Sequence, residues 1–139
     1  MKIDRRAVIL LHWLSFLLVY LIWSTTPDWP PWLVQPFVAI TAVWVGLLVV
    51  RRRVFFKPGP KLDGGARLAH RLQHPVLYLS LVGMALVFLT NQPERVTYIV
   101  VQVIFFGGLM HGLFHLWRHT ALYDGSLRNI TPRFLHKVL

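Results

Sequence analysis

AVILLHWLSFLLVYLIWSTTP, residues 7–27, runs for 21 positions without a charged side chain. A helix needs about 20 apolar residues to cross the hydrocarbon of a bilayer. Three further stretches repeat the pattern, residues 29–50, 72–93 and 96–117, each 22 residues long and uncharged. Between them they account for most of a 139-residue chain that is 55% hydrophobic and only 14% charged, too apolar for a soluble domain of this size. The first stretch has no small-residue cleavage site and runs into Pro27-Asp28, so it reads as a retained helix rather than a signal peptide. The expected fold class is all-α: an integral membrane four-helix bundle forming one domain over residues 1–139. Its helices are expected at about 7–26, 32–51, 68–90 and 95–118, followed by a tail at 119–139.

Orientation follows from the basic residues, because Lys and Arg in short loops resist translocation. Lys2, Arg5 and Arg6 precede the first helix, and Arg51, Arg52, Arg53, Lys57, Lys61, Arg67 and Arg71 lie between the second and third. Arg118, Arg128, Arg133 and Lys137 follow the fourth, which leaves Arg95 as the one of 15 basic residues on the other side. An up-down-up-down bundle with both termini cytoplasmic is the arrangement this predicts. The far side receives the short turns around Pro27–Trp32 and Asn91–Glu94, where Trp29 and Trp32 suit the headgroup zone. The net charge of +10 then reads as a solvated basic rim facing lipid headgroups, with no nucleic-acid motif. Pro58-Gly59-Pro60 and Gly64-Gly65 mark the long loop as a connector. Asp124-Gly125 reads as a turn and Pro132 as a breaker in a tail lying along the cytoplasmic surface.

Chemistry is expected from histidine. All seven, His12, His70, His74, His111, His115, His119 and His136, fall in or beyond the half of the chain assigned to the cytoplasmic side. His12 and His111 lie within the spans, each roughly 8–9 Å below the cytoplasmic edge at the helical rise. An ionisable group at that depth is a functional candidate. A haem iron held by two imidazoles needs one from each of two facing helices at a common level. His111, His115 and His119 recur every fourth residue and share one face of the fourth helix, so His115, one turn shallower, rivals His111 as the partner of His12. Gly107, Gly108 and Gly112 would let a flat macrocycle approach the backbone, although small residues in membrane helices more often serve helix packing. His70, His74, His119 and His136 are expected to be solvated at the basic rim. A metal centre without haem would need three or four His or carboxylate ligands in one cluster, and the spans contain no Asp or Glu. The absence of cysteine excludes disulfides, iron–sulfur clusters and covalent haem attachment. No nucleophile–base pairing and no phosphate-cradling loop is present. Gln35, Thr41 and Gln102 are too few to line a transport path.

Three segments taken in order, Arg6 with the following AVILLHWLSFLLV, ARLAHRLQHPVLYLSLVGMAL (residues 66–86) and HGLFHLWRHTALYDGSLRNITP (residues 111–132), resemble the bacterial cytochrome b561 family. Its members are four-helix di-haem b proteins of the inner membrane that exchange electrons with quinones. The resemblance covers nearly the whole chain. It implies that His12 and His111 ligate a cytoplasmic-side haem b. It also implies that His74 matches a helix 3 histidine of the quinone pocket and that His119 is one of a histidine pair whose other position holds Arg118. Arg6, Arg67 and Arg71 are candidate partners for the haem propionates, since a guanidinium pairs bidentately with a carboxylate; a role in topology alone is their alternative. The family's second haem uses a histidine early in helix 2 and another early in helix 4. Here the second helix has no histidine, with Phe37 in that region, and Thr97 stands at the helix 4 position.

The expectation is therefore a mono-haem cytochrome b of the bacterial inner membrane, an electron carrier or quinone-linked oxidoreductase component. Ubiquinone or menaquinone, membrane lipids and other redox subunits are its expected partners, and nucleic acid is not. The alternative is an accessory subunit of a larger membrane complex, descended from such a cytochrome and with partial or no haem binding.

Overall fold

The computed structural model describes residues 5–51, 61–132 and 136, with Arg51 and Asn129 described for their backbone alone. Four helices, α1 (Arg5–Ser24), α2 (Pro31–Arg51), α3 (Gly64–Leu89) and α4 (Glu94–Ala121), are followed by one 3-10 turn at Ser126–Asn129. All four are long and apolar enough to cross a membrane, and the described residues contain no strand. The reason is that hydrocarbon offers no hydrogen-bond partner to a backbone amide, so each crossing must satisfy its own N–H and C=O groups.

The ends have local causes. The Thr25 and Thr26 hydroxyls turn back onto the Leu21 and Ile22 carbonyls at 3.0 and 3.3 Å, and Pro27 follows. Pro31 opens α2 at the first helical position, where its missing N–H costs nothing. Asn91, at φ 48°, and Pro93 separate α3 from α4, and Glu94 places an acidic side chain in the first turn of α4.

Two helix ends differ from the sequence expectation. α3 begins at Gly64 rather than near 68, so Arg67 belongs to its first turn. Arg67 Nε and Nη2 donate to the Leu62 carbonyl at 2.8 and 2.6 Å, while the Leu62 side chain is buried. Residues 61–63, just before α3, are thus anchored into the protein. α4 runs to Ala121, three residues past the expected stop, because the Leu122 N–H still reaches the Arg118 carbonyl. The expected turn at Asp124-Gly125 is present, with Gly125 in the left-handed region at φ 68°. Lys2, Arg52, Arg53, Lys57, Pro58-Gly59-Pro60, Arg133 and Lys137 lie outside the described residues.

α1 packs against α2 and α4, and α3 packs against α2 and α4, closing a ring of four helices. The tightest packing is at one end. Val19 and Ile22 of α1, Leu33 and Phe37 of α2, Met84 and Ala85 of α3, and Val101 and Ile104 of α4 form the buried cluster. Trp23 stacks on Phe105 at 4.1 Å and 6°, and Phe88 meets both Trp29 and Phe37 edge-on. Lipid tails are as apolar as leucine, so this end is held by van der Waals fit and by paired polar groups. Trp23 Nε1 donates to Gln102 Oε1 and Trp44 Nε1 to Ser15 Oγ, both at 2.9 Å. Thr41 Oγ1 donates to the Phe37 carbonyl at 2.9 Å. The polar side chains Gln102 and Thr41 are therefore structural ties.

At the other end the chain after α4 folds back. Arg5 Nη2 donates to the Arg128 carbonyl, Trp13 Nε1 to the Ile130 carbonyl at 2.9 Å, and Lys61 Nζ to the Leu122 carbonyl at 2.5 Å.

Phe37 is the largest fully buried side chain. Phe37→Ala is expected to lower stability by about 3 kcal/mol, read as a shifted unfolding midpoint in detergent, and Phe37→Leu by less than half of that.

Candidate histidine site

The end opposite the apolar cluster carries the imidazoles. His12 comes from α1, His70 and His74 from α3, and His111 and His115 from α4. Residues four apart in a helix lie one above the other. The pairs His70/His74 and His111/His115 therefore present two ladders, and the contact between α3 and α4 sets them against each other. The His74 ring centre lies 5.2 Å from that of His111 and 6.0 Å from that of His115. His111 and His115 are 4.6 Å apart, and His70 is 5.2 Å from His74 and 6.0 Å from His115. His12 faces His111 across the α1–α4 contact with ring centres 6.3 Å apart.

Three of these residues, His74, His111 and His115, each bring a ring nitrogen within 4.8 Å of the others'. The reading of the spans as too poor in ligands for a metal cluster is corrected by this geometry. The signal that would have found the cluster is the pair of matched spacings, His70-x-x-x-His74 and His111-x-x-x-His115. His70 corrects a second expectation, since it is 2% exposed rather than solvated at the rim.

Hydrogen bonds orient the cluster. His74 Nδ1 donates to the His70 carbonyl at 3.2 Å, which leaves Nε2 of the neutral ring as the lone-pair nitrogen. The Gln73 amide nitrogen lies 3.3 Å from His115 Nε2, and Ser126 Oγ donates to the His115 backbone carbonyl at 2.9 Å. His111 Nδ1 and His70 Nε2 are buried without a hydrogen-bond partner among the described residues. Such a group ordinarily costs about 1–3 kcal/mol.

Of the other expected site residues, Arg6 and Arg71 are exposed at the starts of α1 and α3, and Arg67 is taken up by Leu62. His119 is half-buried one turn beyond His115, and His136 Nε2 lies 3.1 Å from the Thr131 carbonyl. Gly107 packs against Leu77, whose Cδ2 lies 3.6 Å from where a Cβ would sit, and so takes the helix-packing role. A Cβ at Gly108 or Gly112 would meet nothing within 4 Å, leaving room beside His111. Phe37 and Thr97 are buried at the far end, where Thr97 Oγ1 donates to the Pro93 carbonyl at 3.3 Å.

No family model, no curated protein and no solved structure matches this chain.

Arg118 closes the mouth of the cluster and corrects the picture of a uniformly solvated basic rim. It is 5% exposed and forms an ion pair with Asp124, Nη2 to Oδ2 at 2.6 Å, with Nε donating to the same oxygen at 2.6 Å. The Ser126 N–H donates to Asp124 Oδ1 at 2.9 Å. Burial by itself would raise the Asp124 carboxyl, but the Arg118 and Ser126 donors outweigh it and hold it below its ordinary value. A depressed folded-state value stabilises the protein at any pH above the unfolded carboxylate range. That stability is lost as pH falls through the folded value.

Asp124→Asn leaves the buried Arg118 charge uncompensated and is expected to cost about 3 kcal/mol at neutral pH. Thermal unfolding as a function of pH should show wild type losing stability on acidification below the unfolded carboxylate value, with a flatter acid limb for the variant.

Proposed function

We propose that this protein is a membrane-bound b-type cytochrome that carries single electrons through one haem b held by His12 and His111. The observation that carries this reading is the 6.3 Å separation of the two ring centres on facing helices. A metal–nitrogen bond of about 2 Å, with half a ring on either side, sets two trans imidazoles about 6 Å apart. Of the two α4 candidates, it is the His111 ring that meets the ring of His12. His111 is thus the better partner for His12. The unpartnered His111 Nδ1 and the open flanks of Gly108 and Gly112 also suit a bound group.

Haem supplies the one-electron chemistry when bound, and the chain sets its conditions. His12 and His111 would hold it, and two imidazoles in a low-dielectric surround would set its potential. His74 and Gln73 stand beside the ligand cluster, where a quinone, ubiquinone or menaquinone, or a partner redox subunit would approach. Arg6 and Arg71 are exposed near this end, where propionates would lie; Arg67 would first have to release the Leu62 carbonyl. The family's second haem has no place here, since Phe37 and Thr97 lie in packed protein.

The same contacts support the orientation. Arg5, Lys61 and the chain after α4 are tied together at the histidine end, as alternating helix directions require. Most of the described basic residues then lie on that side, which under the positive-inside rule would be the cytoplasmic one. A bacterial inner membrane is the setting this reading implies.

A pyridine haemochrome assay on protein purified in native lipid should give about one haem b per chain and a low-spin, six-coordinate spectrum. His12→Ala and His111→Ala should each lose the haem, and Thr97→Val should keep it. Haem loss in His115→Ala with retention in His111→Ala would reassign the ligand by one helical turn. A haem content near zero would instead favour an accessory subunit of a larger membrane complex.

A further inference from the structure

We propose that His74, His111 and His115 form a second, alternative site: a tris-imidazole centre for a first-row transition-metal ion such as Zn2+, occupied when the chain holds no haem. The site does not depend on the haem reading. Its exclusivity does, because His111 belongs to both.

Two of the three ring spacings in the triad differ from that of the His12–His111 pair in the way that two modes of ligation would. Imidazoles trans to each other on one ion stand about 6 Å apart, but ligands near the tetrahedral angle stand about 5 Å apart. His12 and His111, at 6.3 Å, fit the first. His74–His111 at 5.2 Å and His111–His115 at 4.6 Å fit the second, and His74–His115 at 6.0 Å closes the triangle with a small ring movement. The three ligand nitrogens already lie within 4.8 Å of one another.

The surroundings are those of a metal site. A ligating histidine commonly donates its other N–H to a carbonyl, which fixes the tautomer and raises the ligand's basicity. His74 Nδ1 does this to His70 at 3.2 Å. The second, independent observation is His70 itself. It is 2% exposed, its Nε2 has no hydrogen-bond partner among the described residues, and its ring lies 5.2 Å from His74. By ring spacing it is the nearest further imidazole to His74 and His115 outside the triad. An all-nitrogen donor set selects borderline ions such as Zn2+, Co2+ or Cu2+ over Mg2+ or Ca2+. The Asp124 carboxylate, already neutralising Arg118 beside the cluster, keeps that cation from adding to the charge of the ion.

Sharing His111 makes the two occupants competitors. Bound metal withholds a haem ligand, and haem insertion withdraws the central ligand of the metal site. Haem loading would then respond to the local supply of metal ion.

The test uses tag-free, full-length protein in lipid nanodiscs, prepared with and without haem, titrated with Co2+ as a spectroscopic probe and back-titrated with Zn2+. The haem-free protein should bind one Co2+ per chain with the visible bands of a four-coordinate nitrogen site. His74→Ala, His111→Ala and His115→Ala should each weaken Co2+ by more than about 100-fold, the upper end of what a lost outer-shell partner costs. His12→Ala should bind Co2+ like wild type while losing haem, and His74→Gln, with unchanged helical circular dichroism, guards against misfolding. No Co2+ binding, or binding insensitive to His74 and His115, would overturn the site. Haem-loaded protein that takes up Co2+ with unchanged affinity would overturn the exclusivity. Co2+ binding in a chain that never retains haem would sink the cytochrome reading and leave the metal site standing.

Discussion

An imidazole cannot be left unpartnered in a medium without water except at a cost, and five of them converge in one half of this bundle. The remaining architecture can be understood from that constraint. The opposite half is closed by apolar packing around Phe37, Met84 and Val101, which fixes the helices firmly enough to hold the histidines in register. The histidine half has less protein to fill it, and what closes it is polar: the Arg118–Asp124 pair and the turn of chain that Ser126 pins to the His115 carbonyl.

This division of labour explains why the two ends of the same helices look so different. In α4, Val101 and Ile104 are packed against neighbours, while His111 and His115, two to four turns later, face the histidines of α1 and α3. Trp23–Gln102 and Trp44–Ser15 act as interhelical ties, since packing and hydrogen bonds replace the hydrophobic effect in lipid.

Arg118 shows how a charge from the basic rim is turned to structural use. At the end of α4 it favours the helix dipole, and its pairing with Asp124 keeps it neutralised in a buried position. The sequence gives both residues, six apart, with a glycine after the second. Only the left-handed Gly125 and the 3-10 turn after it bring the carboxylate back over the guanidinium.

The four apolar stretches and the turn at Asp124-Gly125 were legible in the sequence, because span length and turn chemistry are local properties of the chain. Helix ends were less so: α3 starts at Gly64 because Leu62 is buried and Arg67 caps its carbonyl, a tertiary effect that composition does not reveal. The histidine cluster was half-legible. His111 and His115 were visibly on one face, but the pairing of their ladder with His70 and His74 depends on how α3 rotates against α4. That rotation is chosen by the fit of many side chains at once, not by any one of them. The sequence by itself determined that four helices long enough to cross a bilayer would form and that imidazoles would gather toward one end. The tertiary structure alone decided which nitrogens meet, because ligand geometry is set between helices and no periodicity along one helix contains it.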